Sequence, residues 1–405
     1  MINTDTNKLV PVEQADDLIL SEQKDFGNER VSFFSSNGRV LAENITADRD
    51  MPPFDRVAMD GIAIRFAAIE KGSRRFHIVG IQAAGAQPVE ISGEDECIEI
   101  MTGAALPGSA DTVIRYEDVE VSEGYAVVNQ LQVIKGQHIH YMGSDRRQNQ
   151  VVLSAGQVIS PAAINILASV GKTAVLVKKL PAVVVISTGD ELTDIHETPS
   201  PIQIRRSNSY AIQSALASRG IDVTLEHIPD DPSSTTDAIN DALQTFDVIV
   251  LSGGVSMGRF DFVEKAMTTC GVHKRFYKVQ QKPGKPFWFG VHPSGPVVFA
   301  FPGNPVSTFM CLYRYLVPWL QKCLGLPVAK QYAVLTETVT FRPAMQYFLQ
   351  VKLKGDEKGL LHATPMAGNG SGDFANLTDS DAFIELPASK ETFNAGEAYR
   401  VWQYK

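Results

Sequence analysis

The chain is poor in cysteine, in basic charge and in long apolar runs, and each shortage disfavours a class of protein. Its four cysteines in 405 residues, Cys97, Cys270, Cys311 and Cys323, form no Cys-x-x-Cys pair and have no histidine at zinc spacing. This pattern is typical of buried thiols in a reduced cytoplasmic protein. The 37 basic and 46 acidic residues give a net charge of −9, which disfavours a general nucleic-acid binder. No apolar run approaches the roughly eighteen residues of a membrane span, and the first twenty residues lack the apolar stretch of a signal peptide.

Hydrophobic patterning divides the chain into regions of different predicted structure. Residues 1–50 are predicted to be mostly helical, and residues 50–150 carry short β-like runs separated by glycine, proline and aspartate. After residue 327, closely spaced strand candidates predict a small all-β barrel or sandwich. At roughly 150 residues per domain, the length predicts two to four domains.

Between these regions, from residue 181, apolar strands alternate with helices. Strands that are apolar on both faces predict a parallel sheet covered by helices on each side. Such sheets bind ligands at the carboxyl ends of their strands. The predicted strands are Ala182–Ile186, Asp222–His227, Asp247–Leu251 and Pro296–Ala300, and the predicted helices are Asn208–Arg219, Ser233–Thr245, Phe262–Thr269 and Val306–Leu324.

Glycine-rich or proline-rich loops follow two of these strands. The segment Ser252–Gly258 has the sequence SGGVSMG, and a glycine pair alone is more often a tight turn than a binding loop. The segment Pro302–Ser307, PGNPVS, leads into the last helix of the region. Because a helix N-terminus presents free backbone N–H groups, the two loops together predict a phosphate-binding edge.

Lysines are concentrated in one stiff turn of this acidic chain. Lys282 and Lys285 lie in the sequence KPGKP, and Lys278 lies shortly before them. Clustered ammonium groups favour a site for a small, strongly charged oxyanion. A solvated basic turn remains the alternative.

Carboxylates lie at other predicted strand ends. They are Asp190 with Glu191, Asp230 with Asp231, and Asp261 after the glycine loop. Mg²⁺ prefers carboxylate oxygens, water and substrate phosphates, so these residues favour a metal-dependent phosphate-ester or pyrophosphate site. Each of them could equally be a helix cap.

These motifs, together with others in the N-terminal half, resemble the molybdopterin molybdenumtransferases, the MoeA and gephyrin E-domain group. Individually some are short, but they follow the order and spacing of the family over essentially the whole chain. The segments that carry the resemblance are Pro53-Phe54-Asp55, Ala58-Met59-Asp60-Gly61, Met101-Thr102-Gly103-Ala104, Ser187-Thr188-Gly189-Asp190-Glu191-Leu192, Ser252–Gly258, Lys282–Pro286, Pro302–Ser307 and Gly368-Asn369-Gly370-Ser371-Gly372-Asp373.

The resemblance implies a multidomain fold: a central three-layer α/β domain like that of molybdopterin adenylyltransferases, a β-rich insertion, a helical N-terminal segment and a C-terminal β-barrel. It also implies a homodimer whose active site is shared between subunits, and it allows a transient contact with the molybdopterin adenylyltransferase. The implied domains are residues 1–50 with 141–180 (helical, elongated), 51–140 (β-rich insertion), 181–326 (α/β, molybdopterin-binding) and 327–405 (β-barrel).

The implied reaction inserts molybdate into adenylylated molybdopterin and releases AMP, with Mg²⁺ as cofactor. The residues that the resemblance and the charge pattern assign to catalysis are Asp60, Thr102, Glu191, Asp231, Asp261, Lys278 and Lys282. Those assigned to substrate binding are Ser252, Gly253, Gly254, Ser256, Gly258, Lys285, Pro302, Gly303, Asn304, Pro305 and Ser371. Those assigned to the metal are Asp190, Glu191, Asp231 and Asp261.

The chain departs from the family pattern at a few motif positions. Arg56 stands where a small polar residue is usual, Ser144 where a glutamate is usual, and Arg259 where an acidic residue is common. Gln350 stands where an arginine often helps to bind the oxyanion. These departures motivate one alternative, a non-catalytic pterin-binding or scaffold paralogue. A second alternative is the adenylyltransferase reaction itself, since the α/β domain is shared with that family.

Overall fold

The structure is a computed structural model that describes residues 9–254, 262–366 and 368–405. The chain divides into two compact units, one made of Met1–Glu29 with Lys178–Lys405 and the other of Arg30–Val177. No helix among the described residues is both long and apolar enough to cross a membrane.

The helices are α1 (Val12–Ser21), α2 (Phe66–Glu70), α3 (Pro161–Ser169), α4 (Asn208–Ala217), α5 (Pro232–Thr245), α6 (Val263–Thr269), α7 (Pro305–Cys311), α8 (Val317–Cys323) and α9 (Asn376–Asp379). The strands are β1 (Asn28–Ser32), β2 (Ile45–Thr46), β3 (Arg56–Val57), β4 (Gly61–Ile64), β5 (Arg75–Gln82), β6 (Glu96–Ile100), β7 (Thr112–Arg115), β8 (Val119–Ser122), β9 (Tyr125–Val128), β10 (Ile139–His140), β11 (Val151–Leu153), β12 (Ala174–Lys178), β13 (Val183–Thr188), β14 (Leu192–Thr193), β15 (Ile204–Arg205), β16 (Val223–Ile228), β17 (Val248–Ser252), β18 (His273–Tyr277), β19 (Gln281–Lys282), β20 (Trp288–Val291), β21 (Val297–Phe301), β22 (Gln331–Leu335), β23 (Val339–Thr340), β24 (Gln346–Gly355), β25 (Leu361–Pro365), β26 (Ala382–Leu386), β27 (Thr392–Phe393) and β28 (Ala398–Gln403).

A six-stranded sheet covered on both faces forms the centre of the first unit. Alternate residues of β13 enter two different cores because successive side chains of a strand point to opposite faces. Val183 and Val185 pack in the core that contains residues of α1, α4, α7 and α8. Val184 and Ile186 pack in the core that contains residues of α5 and α6. The three-layer α/β domain expected from the sequence is confirmed.

The strand order is β16-β13-β17-β21-β20-β18, and the sheet is mixed. The first four strands are parallel, as predicted, but β20 runs antiparallel to both of its neighbours, β21 and β18, so the prediction of a wholly parallel sheet is wrong at this edge. The connection from β20 to β21 is a short turn in which His292 N–H donates to Pro296 O and Gly295 has φ 126°. Only antiparallel neighbours can be joined by so short a turn.

The long helix predicted for Val306–Leu324 is three consecutive helical segments. A π-helical turn, Leu312–Leu316, separates α7 from α8. Pro318 lies in the first turn of α8 and has no N–H to donate to the preceding turn, which accounts for the change of helical register there.

The C-terminal part of the first unit is a closed five-stranded β-barrel, as expected. Its strands follow the order β24-β25-β22-β28-β26, and pairing between β24 and β26 closes it. The short strand β19 pairs with β24 and so joins the lysine-bearing turn to the barrel.

The second unit is built around a six-stranded sheet of order β7-β4-β6-β5-β9-β8. Gly61 begins β4, and a Cβ at this position would overlap Ile114 O of the neighbouring strand. A glycine is therefore required here by close backbone approach, whereas the sequence alone indicates only a turn.

The N-terminal region is less helical than predicted. Within residues 9–50, the helical parts are α1 and a short 3₁₀ turn at Phe33–Ser35. Gly27 and Gly38 have positive φ, and β1 shows the alternating exposure of a strand. After α1, the alternating pattern of β1 and the two glycines therefore favour extended and turn structure over a helix.

Candidate functional site

A cleft of about 550 Å³ lies at the carboxyl ends of β13, β17 and β21. This is the edge at which a doubly wound sheet binds its ligand. Its lining includes Thr188, Gly189, Glu191, Arg205, Arg206, Asn208, Asp230, Ser252, Gly253, Gly254, Pro286, Pro302, Gly303, Asn304 and Pro305. The predicted substrate-binding residues from Ser252 to Gly254 and from Pro302 to Pro305 are thus brought together.

Asn208, the first residue of α4, connects the two loops that follow β17 and β21. Its Nδ2 donates to Ser252 Oγ at 3.0 Å and to Gly303 O at 2.8 Å, and it lies 3.3 Å from Thr308 Oγ1. Its position fixes both walls of the cleft relative to each other. The predicted site residues did not include Asn208, although it begins a predicted helix and lies in a segment, Arg205-Arg206-Ser207-Asn208, that matches a family motif.

The glycine pair after β17 adopts a conformation that other residues rarely take. Gly253 has φ 99° and Gly254 has φ 68°. A Cβ at Gly254 would overlap Val263 and lie 2.9 Å from Thr188 Oγ1. Both glycines are therefore required by backbone angle and by space. The predicted residues Ser256, Gly258 and Asp261 lie outside the described residues.

Acidic side chains form one side of the cleft. Asp230 and Glu191 both line it, and Asp230 N–H donates to Asp190 Oδ1 at 3.2 Å. Burial raises the pKa of Asp230, and the negative charges of Glu191 and Asp190 raise it further. These carboxylates oppose one another's ionisation, which is the electrostatic situation that a bound cation relieves.

Asp231 has a different position from its neighbour. It is the N-cap of α5, where its Oδ2 accepts a hydrogen bond from Ser234 N–H at 2.7 Å. This bond holds the pKa of Asp231 below its usual range. Asp231 does not appear among the residues that line the cleft, so Asp230 is the member of the pair that lies beside Glu191. Among the described residues, no three histidine, cysteine or carboxylate side chains are grouped closely enough to hold a metal ion.

Basic residues also line this cleft. Arg205 and Arg206 both line it. Arg206 forms an ion pair with Asp194, and the backbone N–H of His196, followed by that ion pair, lowers the pKa of Asp194. The cleft thus combines acidic and basic sides, as a phosphate–cation complex requires.

A second cavity, of about 360 Å³, lies between the lysine-bearing turn and the barrel. Lys282 and Lys285 line it, with Ser307 and Ser371 among the polar groups. None of the described residues that line it is a carboxylate. A cavity with cationic and hydroxyl groups and no opposing acid favours an anion.

The two cavities share a wall formed by Pro286, Pro302 and Asn304. Asn304 Nδ2 donates to Ser371 Oγ at 2.9 Å, and Val306 N–H donates to Ser371 O at 3.1 Å. The predicted C-terminal residue Ser371 is therefore held directly against the loop after β21.

Lys278 does not line the cavity that Lys282 and Lys285 share. It has φ 68°, and its Nζ lies 4.8 Å from the centre of the Tyr277 ring. It is absent from the described lining of both cavities. The structure therefore groups Lys282 with Lys285 but does not bring Lys278 to the same cavity.

In the second unit, Asp60 and Thr102 are direct partners. Thr102 donates to Asp60 Oδ1 from its hydroxyl at 2.7 Å and from its backbone N–H at 2.6 Å. These bonds lower the pKa of Asp60, so this exposed side chain is held as a carboxylate. The pairing brings the two motifs together, although they are 42 residues apart in the chain.

Arg56, one of the departures, also has a defined partner in this unit. Arg56 Nη2 lies 2.9 Å from His140 Nδ1, and His140 Nε2 lies 2.8 Å from Asp145 Oδ1. The three side chains form an exposed polar chain across the paired strands β3 and β10.

Comparison with family models matches three consecutive regions. Residues 10–171 match the MoeA N-terminal region (domains I and II), residues 184–322 a probable molybdopterin binding domain, and residues 332–404 the MoeA C-terminal region (domain IV).

Comparison with whole proteins gives full-length relatives. A Synechocystis protein named molybdopterin molybdenumtransferase is 39% identical over 399 residues, with 98% of this chain and 100% of the relative covered. A protein of the same name from Bacillus subtilis is 30% identical, with 97% and 93% covered. The crystal structure of a molybdopterin biosynthesis MoeA protein from Pyrococcus horikoshii has a TM-score of 0.82 and 31% identity, with 98% and 100% covered.

Proposed function

The chain belongs to the MoeA family of molybdopterin molybdenumtransferases, and we propose that it inserts molybdate into adenylylated molybdopterin and releases AMP. The observation that carries this proposal is the shared wall between the two cavities. A phosphate-bearing substrate in the cleft and an oxyanion in the cavity of Lys282 and Lys285 would be separated only by Pro286, Pro302 and Asn304.

The cleft supplies what the adenylylated substrate needs. The turn of Gly253 and Gly254 and the loop of Gly303 and Asn304 bring backbone close to the space where its phosphates would lie. Asn208 keeps these two loops at a fixed separation. The protein would therefore act by positioning its substrates, and no covalent nucleophile is required.

The acidic side of the cleft fits a divalent ion such as Mg²⁺. Glu191 and Asp230 would hold it, with Asp190 nearby and Asp261 as a further predicted ligand. Carboxylate oxygens are the ligands that Mg²⁺ prefers, and a bound cation would offset the burial and the neighbouring charges that raise the pKa of Asp230. When bound, the ion would neutralise the pyrophosphate group that is cleaved.

The second cavity fits molybdate, which is a tetrahedral dianion. Lys282 and Lys285 would bind it electrostatically, and Ser371, held by Asn304, would contribute its hydroxyl. Lys278 would act from outside the described cavity lining. Asp60 and Thr102 would reach the substrate from the partner subunit of a homodimer, so that each active site uses two chains.

Turnover of purified protein tests this function. Adenylylated molybdopterin, molybdate and Mg²⁺ are mixed with the full chain, and AMP is measured with and without molybdate. Molybdate-dependent AMP release is the expected result. Tight pterin binding without AMP release would instead support a non-catalytic paralogue, and consumption of ATP with free molybdopterin would support the adenylyltransferase reaction.

Two lysine variants sharpen the test. Lys282→Ala should raise the molybdate concentration needed for half-maximal AMP release about tenfold or more, since it removes a cation that pairs with the dianion. Lys330→Ala removes an exposed lysine that lines neither cavity and should behave as the wild type. An equal effect of both substitutions would contradict the oxyanion role.

A further inference from the structure

Gln281 is a buried glutamine that joins the lysine-bearing turn to the interior of the protein. It directly precedes Lys282 and is 0% exposed. Its Nε2 donates to Gly284 O at 2.8 Å and lies 3.7 Å from Cys311 Sγ. Because a carbonyl oxygen can only accept, the bond to Gly284 determines which end of the amide is nitrogen. The oxygen end needs a separate donor, since a buried amide oxygen without one is costly.

The hydroxyl of Tyr315 is that donor. It donates to Gln281 Oε1, and Tyr315 itself is 1% exposed. Burial raises the pKa of this phenol, so the hydroxyl keeps its proton and remains a donor. A continuous chain of hydrogen bonds therefore runs from Tyr315 through Gln281 to the backbone of Gly284.

Tyr315 lies in the π-helical turn between α7 and α8. A π turn holds one residue more than an α turn, and one residue corresponds to about 100° of rotation around a helix, so the turn redirects its side chains. Arg314, the preceding residue, is 3% exposed and donates from Nη1 to Asp16 Oδ1 of α1 at 2.8 Å. The ring of Tyr315 packs against Phe287, with 5.0 Å between the ring centres. The turn is therefore held in place independently of Gln281 and can act as a fixed support for it.

The same region decides where two carbonyl groups of the lysine-bearing turn point. Gly284 O accepts from Gln281 Nε2, and Lys285 O accepts from the N–H groups of Val279 and Phe287, both at 2.9 Å. Both oxygens are thus occupied by donors of the protein. A carbonyl oxygen carries partial negative charge and would oppose the attraction of a nearby ammonium group for an anion. Keeping these oxygens occupied leaves the lysine charges as the main electrostatic feature of the turn.

We infer that Gln281 and Tyr315 are positioning residues for anion binding, which hold the lysine-bearing turn so that its two ammonium groups face the cavity. The inference rests on the proposed function, because it takes the cavity of Lys282 and Lys285 to be the oxyanion site. Gln281 is among the residues that line this cavity, but both ends of its amide are occupied, so it acts on the anion only through the turn. Without the Tyr315 hydroxyl, Gln281 Oε1 would be buried without a donor, and the amide would no longer be held against Gly284 O.

Steady-state AMP release by the full-length protein at varied molybdate concentrations tests the inference. Tyr315→Phe should raise the KM for molybdate about fivefold to tenfold, because the turn loses its support. It should leave kcat near the wild-type value, since neither residue touches the substrate phosphates. Tyr399→Phe is the matched control: the Tyr399 hydroxyl donates to Glu397 in the barrel, and Tyr399 lines neither cavity, so the KM should not change.

A double-mutant cycle with Lys282→Ala provides a measurement that a merely structural role would not affect. If Tyr315 acts by positioning the lysines, Tyr315→Phe should raise the molybdate KM less in the Lys282→Ala background than in the wild type. Fully additive effects would show that the two side chains act independently and would overturn the inference. Tyr315→Phe combined with Gln281→Met should likewise be hardly worse than Gln281→Met alone.

Melting temperatures of the same variants separate binding from folding. Tyr315→Phe keeps the ring that packs against Phe287, so it should fold and melt at most a few degrees below the wild type. If it does not fold, Gln281→Met takes its place in the cycle with Lys282→Ala. A folded variant with a lowered melting temperature and a wild-type KM for molybdate would show a structural role only.

The outcomes distinguish this inference from the proposed function. If Lys282→Ala raises the molybdate KM and folded Tyr315→Phe does not, the role of Tyr315 and Gln281 is wrong and the oxyanion site stands. If the wild type releases no AMP with molybdate, or if Lys282→Ala has the wild-type KM, the proposed function fails and the inference fails with it.

Discussion

Asn304 and Ser371 are 67 residues apart in the chain, and a 2.9 Å hydrogen bond from Asn304 Nδ2 to Ser371 Oγ connects them. The bond joins the loop after the central strand β21 to a loop of the C-terminal barrel. Because Asn304 lines both cavities and Ser371 lines only the second, this contact fixes the oxyanion cavity relative to the phosphate cleft.

Removing this contact should uncouple the two cavities. Asn304→Ala is expected to raise the KM for molybdate and to lower kcat, since the oxyanion would no longer be held in line with the substrate phosphates. Steady-state AMP release at varied molybdate concentrations measures both constants.

A double-mutant cycle with Ser371→Ala isolates the hydrogen bond from other effects. If the two side chains act through each other, the double variant should be hardly worse than Asn304→Ala alone. Strictly additive losses would show that the bond has no role in positioning.

Asn208 should be required for substrate binding although it carries no charge. Asn208→Ala removes the donor to Ser252 Oγ and Gly303 O and leaves a buried hydroxyl without its partner. Affinity for AMP, measured by calorimetry, should fall about fivefold to tenfold. Asn240→Ala, at an exposed position of α5, is the matched control and should bind as the wild type does.

Those parts of the site that are continuous in sequence could be predicted. Each of them begins within three residues after the end of a strand: the glycine pair after β17, the Pro302–Ser307 loop after β21 and Glu191 after β13. Parallel strands bring their carboxyl ends to one edge. Knowing that strands alternate with helices was enough to group them.

Contacts that depend on docking between distant segments could not be predicted. The bond of Asn304 to Ser371 arises only when the barrel packs on the α/β domain, and the orientation of Gln350 depends on Asn376, which lies 26 residues further along the chain. The choice between Asp230 and Asp231 depends on which of two adjacent carboxylates turns back to cap α5, and sequence patterns do not resolve single backbone turns. Strand β18 was missed because its first residues, His273-Lys274-Arg275, have no apolar alternation.

The raised pKa of Asp230 predicts a stability difference that depends on pH. A carboxyl whose pKa is higher in the folded than in the unfolded protein favours folding below its ordinary value of 3.8, and this contribution is lost as the pH rises through the folded pKa. At pH 7 the ionised Asp230 should therefore destabilise the metal-free protein. Asp230→Asn should raise the melting temperature at pH 7, and the difference should vanish below about pH 4.

Mg²⁺ should stabilise the wild type more than it stabilises the Asp230→Asn variant. A cation bound by Glu191 and Asp230 stabilises the folded state by mass action, and the variant loses one ligand. Calorimetry with added Mg²⁺ should show a larger rise in melting temperature for the wild type than for Asp230→Asn. The same rise in both proteins would exclude Asp230 as a ligand.

Asp231 and Asp261 should differ in their effects, although both were assigned to the metal from the sequence. Asp231→Ala removes the N-cap of α5 and should lower the melting temperature by about 2 °C, with Mg²⁺-dependent AMP release retained. The pKa of Asp231 is lowered whereas that of Asp230 is raised, so the pH dependence of stability has the opposite sign: the stabilisation by Asp231 is present at neutral pH and is lost as the pH falls below about 4.

Asp261→Ala should abolish AMP release and leave both the melting temperature and the oligomeric state unchanged. Loss of turnover in Asp231→Ala at an unchanged melting temperature would instead assign Asp231 to the metal, because a cap residue that affects only the chemistry must touch the ion or the substrate.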